Sequence, residues 1–142
     1  MSLIEKFESI LVEEDFLPVS KEKWSSFQIT HCQPDDNEMK MEQFKFIKKQ
    51  VGKKAGVYIY IKDKSILYIG KAKGLNNRLK SHYIESFSTV PGDTKDNRWH
   101  RFFSQHQGEV NVLWKEVETE EERQIIEIIL THIMKPVFLS FR

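Results

Sequence analysis

Two short apolar runs, Val57–Ile61 and Ile66–Ile69, are separated only by the polar stretch Lys62-Asp63-Lys64-Ser65. No other feature constrains the fold as tightly. Both runs are rich in β-branched and aromatic residues, so they predict a β-hairpin. Alternation separates two faces. Val57, Ile59 and Ile61 point one way and Tyr58 and Tyr60 the other; on the second run Leu67 and Ile69 oppose Tyr68 and Gly70. A two-residue loop at Asp63-Lys64 would pair 58 with 69 and scatter the aliphatic set over both faces. An odd-length loop such as Asp63-Lys64-Ser65, or a bulge, pairs 60 with 68. The five aliphatic side chains then share one face, as burial demands, and the hydroxyls of Tyr58 and Tyr68 converge on the other. Gly70 ends the second strand, and Leu75, Leu79 and Tyr83 recur at a helical period over Leu75 to Ile84.

The flanking chain reads mainly as helix. Leu3 to Val12 is amphipathic through Leu3, Phe7, Ile10 and Leu11, and Pro18 ends the pattern. Phe27-Gln28-Ile29-Thr30 is strand-like but short. Asp36 or Asn37 can cap a helix over Glu38–Gln50, with Gly52 as its C-terminal stop. Ser86 to Asn97, with Pro91-Gly92-Asp93, reads as a long loop. Asn97 can cap a helix from Arg98 to Gln105 with Trp99, Phe102 and Phe103 inward and Arg98, His100 and Arg101 outward. Val110–Val117 is a third strand. Thr119 and Glu122 have capping-box spacing for a last helix that reaches Met134 before Pro136.

With 142 residues, 39% hydrophobic and 30% charged, the chain has the make-up of one ordinary globular domain. It contains no apolar run of membrane-spanning length and no signal-like start, and its single cysteine, Cys32, suits a reducing compartment. A cytoplasmic location and no membrane partner are therefore expected. The net charge is only +1, yet residues 56–90 carry six basic side chains against two acidic ones. Positive charge is thus gathered in the hairpin–helix stretch, as phosphate contact requires, although a solvated helix face would look the same. The five histidines lack zinc-site spacing, and no P-loop, Rossmann fingerprint or nucleophile elbow is present.

Glu127 is out of place within Ile125-Ile126-Glu127-Ile128-Ile129-Leu130, since an unpaired buried carboxylate costs several kcal/mol. Either Arg123, one turn earlier, pairs with it at the helix surface, or it serves a hard divalent cation.

The run Gly56-Val57-Tyr58, followed ten positions later by YIGKAKGLNNRLKSHY, resembles the GIY-YIG nuclease domain. It is most similar to the N-terminal nuclease module of UvrC-type excision-repair subunits. Glu122 to Glu127 through Lys135-Pro136 extends the likeness, which covers about residues 55–138. It implies an α/β (α+β) fold, with a small three-stranded, mostly antiparallel sheet flanked by helices. A mainly helical N-terminal extension, residues 1–54, is expected to pack on this module, residues 55–142, burying Phe7, Trp24 and Phe44. The implied catalytic set is Tyr58, Tyr68, Lys71, Arg78, His82 and Glu127, with Gly56 and Gly70 as structural motif glycines. Glu127 would hold Mg²⁺ (or Mn²⁺), Arg78 and Lys71 would meet the phosphate, and His82 would exchange a proton near it. Lys71, Lys73, Arg78, Lys80, Arg98 and Arg101 are the implied DNA contacts. The activity implied is endonucleolytic hydrolysis of DNA phosphodiesters in repair or recombination, with a targeting protein or a homodimer as further partners. Two departures stand out. His82 falls where UvrC-type domains often carry Tyr and homing-endonuclease relatives carry His, and Leu139 stands where the family commonly has Asn. The second leaves open a binding module built on a nuclease scaffold.

Overall fold

A computed structural model describes residues 1–88 and 98–138. The elements run α1 (Leu3–Glu13), β1 (Ser25–His31), α2 (Asn37–Val51), β2 (Gly56–Lys62), β3 (Ser65–Ala72), α3 (Leu75–Glu85), α4 (Arg98–Ser104), β4 (Gly108–Glu116) and α5 (Glu120–Met134). Start and stop signals explain most of the boundaries. Ser2 and Glu5 form a capping box on α1, Asp36 accepts from the Met39 amide at the start of α2, and Thr119 accepts from the Glu122 amide at the start of α5. Gly52 leaves α2 with φ +57°, a conformation that suits glycine. The expected Asn97 cap and the loop around Pro91-Gly92-Asp93 lie outside the described residues.

The sheet has four strands, not three, in the order β1-β4-β2-β3, and every neighbouring pair is antiparallel. The extra strand is the stretch that looked too short. It runs seven residues, with Phe27, Ile29 and His31 inward and Gln28 and Thr30 exposed. Its partner β4 supplies the pairing that its own length does not announce: Phe27 faces Val112 and Ile29 faces Val110.

The β2–β3 hairpin meets the register requirement by a bulge. Asp63 and Lys64 both have positive φ (48° and 70°), which makes a tight two-residue turn with Lys62 opposite Ser65. The register then shifts between Tyr60 and Ile61: Ile61 pairs with Ile66, whereas Tyr60 pairs with Tyr68. Leu67 is the extra residue. This corrects the expected face of two side chains. Leu67 joins the tyrosine side, and Ile66 takes the place assigned to it on the aliphatic side.

Helices cover both faces, giving three layers. On one face Val57, Ile59 and Ile69 pack with Leu11 of α1, Ile126, Ile129 and Leu130 of α5, and Trp24. On the other, Tyr58, Tyr60 and Tyr68 lie under Leu75, Leu79 and Tyr83 of α3 and Phe102 and Phe103 of α4, with Ile47 and Val51 of α2 alongside. In the first 54 residues Trp24 is buried and donates its indole N–H to the Phe16 carbonyl at 3.1 Å, while Phe7 and Phe44 are half-buried against the two cores. Among the described residues no helix is long and apolar enough to cross a membrane.

His31 carries the first segment's one buried ionisable group. It is fully buried against Tyr60, Tyr83 and Phe103, and neither ring nitrogen has a hydrogen-bond partner among the described residues. Burial, aided by Lys62, lowers its pKa to about 3. Below the ordinary histidine pKa of 6.5 the unfolded chain takes up a proton that the folded chain refuses. Stability contributed by neutral His31 is therefore full above 6.5 and is lost as pH falls toward 3. His31→Phe should flatten this part of the acid dependence, a loss of a few kcal/mol at most, read as the urea midpoint against pH.

Gly56 sets how closely β2 and β4 approach. A Cβ there would sit 2.0 Å from the Lys115 carbonyl oxygen, a backbone atom that cannot swing aside. Gly56→Ala should cost about 2 kcal/mol or more in urea unfolding. Gly74→Ala, where a Cβ meets nothing within 4 Å, should stay within about 0.5 kcal/mol.

Candidate active site

The Tyr60–Tyr68 pairing puts three tyrosine rings on one face of the hairpin. The Tyr58 and Tyr68 centroids are 5.8 Å apart and those of Tyr58 and Tyr60 are 5.7 Å apart. Gly70, opposite Tyr58, makes room for them: a Cβ at 70 would meet Tyr58 Cζ and Oη at 2.5 Å and Tyr68 Cε2 at 2.6 Å. The rings lie across the glycine. That is a physical reason for glycine here inside the strand, which continues to Ala72 and does not end at Gly70 as expected.

Helix α3 then lays a stripe of polar side chains over the rings. Arg78, His82 and Glu85 follow one another by four and three residues, so they share a helix face. Arg78 is exposed at the rim, with its guanidinium 5.5 Å from the Trp99 ring centre. His82 is not a surface residue. It is 1% exposed and enclosed by Tyr58, Tyr68, Trp99 and Phe103. It lies behind Tyr58: Tyr58 Oη and His82 Nε2 are 2.7 Å apart, and His82 Nδ1 is 2.9 Å from Glu85 Oε1. Glu85, also buried, is the residue that sequence reasoning missed. Its three-residue spacing from His82 was the available signal.

Burial sets the protonation states. It pushes the Tyr58 hydroxyl well above its ordinary pKa of 10, with the neighbouring Tyr68 adding to the rise and the Arg78 guanidinium opposing it. The depression expected of a free tyrosinate base is therefore absent. Tyr60 is raised likewise by burial, then by Glu85. Burial also holds His82 well below the usual histidine range, helped by Arg78 and His31, so its ring is neutral.

An open groove of about 420 Å³ lies beside this buried array, lined by Lys71, Ala72, Lys73, Gly74, Asn77, Arg78, Ser81 and Glu120. It occupies the end of β3 and the first turns of α3. Lys71, Lys73 and Arg78 thus come together as expected. Lys80 does not: it leaves the opposite side of α3, with its ammonium 5.3 Å from the Phe44 ring. Arg98 stands over Phe138, and Arg101 is exposed on α4; neither lines the groove. Lys71 is held at 2.6 Å by Glu120, a second residue not anticipated, whose pKa is lowered by Lys71 and Arg123.

Glu127 lies on α5 with 8% exposure. The surface pair with Arg123 does not form. Arg123 is 3% exposed and turns away, donating to the Val117 and Glu118 carbonyls at 2.8 Å and to Glu120. It ties the exit of β4 to the first turn of α5. Glu127 makes no ion pair among the described residues, and the Lys71 backbone donates to it. Burial raises its pKa, while Lys71 and Arg78 pull the other way. No cluster of three or more His, Cys, Asp or Glu side chains that could cage a metal is found among the described residues. A single carboxylate next to an open, wet groove fits a hard cation that keeps most of its water. Leu139 lies outside the described residues.

The chain is 34% identical over 90 residues to UvrABC system protein C of Aliarcobacter butzleri, an alignment spanning 63% of this chain and 14% of that protein. Among solved structures it is similar to the GIY-YIG N-terminal endonuclease domain of UvrC from Thermotoga maritima bound to magnesium. The TM-score is 0.47 at 26% identity, covering 67% of this chain and 97% of that one. A tyrosine point mutant of the same domain, bound to its catalytic divalent cation, matches with a TM-score of 0.47 over 67% and 96% of the two chains. The family model of the UvrC-like GIY-YIG domain matches residues 54–138, more than half of the chain, and the protein belongs to that family.

Proposed function

We propose that this protein is a divalent-metal-dependent endonuclease that hydrolyses DNA phosphodiester bonds, with repair or recombination as its setting. The observation that carries the reading is the convergence of Arg78, Lys71 and the buried Glu127, which has no ion pair among the described residues, beside the Tyr58–Tyr68 pair. In this reading the groove receives the backbone of one strand. Arg78 offers paired N–H donors to the phosphate and stays charged throughout; Lys71 and Lys73 add positive charge around it. Glu127 holds Mg²⁺ (or Mn²⁺), which supplies charge stabilisation at the phosphate oxygens and a more acidic bound water. Tyr58 or Tyr68 takes the proton of the attacking water. The first 54 residues serve as an extension packed on the nuclease module. A groove this small carries no means of finding a site, so a targeting protein or a second copy of the chain delivers it.

Arg78→Ala should reduce cleavage of DNA by about 10²-fold or more. The contact with Trp99 and the hydrogen bond that the guanidinium donates to the Tyr58 hydroxyl are lost from the fold, so stability should fall by about 1–2 kcal/mol. Cleavage is to be assayed on duplex, flap, bubble and branched DNA with Mg²⁺ or Mn²⁺. Wild-type rates in this variant would reduce Arg78 to a surface cation. Failure of the unmodified chain on every form would favour a binding module.

Glu127 offers a test that does not need activity. Because burial raises its pKa, the ionised carboxylate works against the fold at neutral pH. Glu127→Gln should therefore keep or raise the melting temperature. Mg²⁺ should raise the melting temperature of the wild type through binding to the native state and leave Glu127→Gln unmoved. Cleavage should be lost in the variant while DNA binding persists.

A further inference from the structure

We propose that Glu85 is a positioning residue for strand cleavage: it holds His82 with its proton on Nδ1, leaving Nε2 to accept the Tyr58 hydroxyl proton. The inference rests on the nuclease reading above and names how the proton leaves the site. Tyr58 Oη, His82 and Glu85 form one continuous chain, with contacts of 2.7 Å and 2.9 Å, and every member is buried. A neutral imidazole has one donor and one acceptor nitrogen, and an ionised carboxylate only accepts. Glu85 opposite Nδ1 therefore fixes the donor there and the acceptor at Nε2.

The arrangement answers a difficulty of this site. A tyrosine buried this deeply does not ionise in advance, so it cannot wait as a free base. It can pass a proton on. The water oxygen bonds to phosphorus as the bond from phosphorus to the leaving sugar oxygen breaks, and its electron pair departs with that oxygen. The water proton moves to Tyr58 Oη while the Tyr58 proton moves to His82 Nε2. The leaving oxygen is protonated from solvent, and His82 returns its proton to solvent through Tyr58. The burial that keeps His82 neutral also makes its imidazolium costly; the Glu85 carboxylate on Nδ1 offsets that cost. The other groups facing His82 are Tyr58 and Tyr60 of β2, Tyr68 of β3, His31 of β1 and Arg78 of α3. Trp99 and Phe103 of α4 close the remaining side. Among these Glu85 alone is a carboxylate.

The first test is the ¹⁵N spectrum of the His82 ring in the unmodified chain, free of DNA and metal. A protonated Nδ1 and bare Nε2 at neutral pH are expected, and the opposite tautomer overturns the proposal. Glu85→Gln should lower kcat by about 10²-fold or more, leave the KM for DNA unchanged, and disturb the His82 tautomer, since an amide can donate to Nδ1. A wild-type kcat in Glu85→Gln overturns the proposal. So does a further loss when the substitution is added to His82→Ala, where no imidazole remains to be positioned. A chain that cuts no DNA form defeats the nuclease reading, and the role of Glu85 in cleavage with it; the spectrum then still reports whether Glu85 sets the tautomer. If Glu85→Gln fails to fold, the wild-type spectrum alone decides.

Discussion

The bulge at Leu67 decides which side of the hairpin each residue of β3 occupies, and the site depends on that one irregularity. A two-residue turn with unbroken pairing would set Tyr60 against Leu67 and lose the pairing that brings Tyr60 opposite Tyr68. One extra residue restores the match between the two strands beyond it. The aliphatic side chains then meet α5 and α1, while the tyrosines meet α3. Gly70 completes the arrangement by omitting the side chain that the Tyr58 and Tyr68 rings would strike. Strand register, ring position and the placement of His82 are thus consequences of one local choice of backbone.

Charge is divided by depth. At the rim, Arg78, Lys71 and Lys73 line the open groove. Beneath them Tyr58, Tyr60, His82 and His31 are neutral because burial penalises their charged forms: the two tyrosines are pushed up and the two histidines down. Glu127 lies at the boundary between the two regions, raised by burial and drawn down by Lys71 and Arg78. In the proposed reading this opposition suits a carboxylate that holds a cation. It is unstable enough alone to gain from a cation, and close enough to cationic side chains to remain ionisable.

Most of the fold can be read in the sequence because period and end signals agree. Helices α2 and α5 start at their caps, Asp36 and Thr119, and stop at Gly52 and before Pro136, and the tyrosine face follows from alternation. What could not be read depends on contacts between distant segments. The strand β1 is marginal by itself and exists through pairing with β4. Leu67 and Ile66 exchanged sides because a bulge leaves no mark on a pattern of apolar residues. Arg123 was an obvious partner for Glu127 by helix spacing, yet the carbonyls at the end of β4 offered it a better set of acceptors. Arg78, Lys71 and Glu127 were legible as chemistry. The depth of His82, and with it the place of Glu85, required knowing where Trp99 and Phe103 come to rest.

The two edges of the sheet differ in a way that places the groove. An open edge strand presents unpaired backbone groups and has to be covered or put to use. At one border the N-terminal segment supplies β1, so β4 becomes an inner strand. At the other, β3 is covered only in part among the described residues: the Val137 and Phe138 amides donate to the Ile66 and Leu67 carbonyls at 3.0 and 2.9 Å. That cover begins at the bulge. The far end of β3, at Lys71 and Ala72, borders the groove instead, and the Lys71 backbone there donates to the Glu127 carboxylate. Among the described residues the border is thus closed where β3 is irregular and open next to Arg78. In the proposed reading a strand of nucleic acid approaches Lys71, Lys73 and Arg78 there without displacing any element of the sheet.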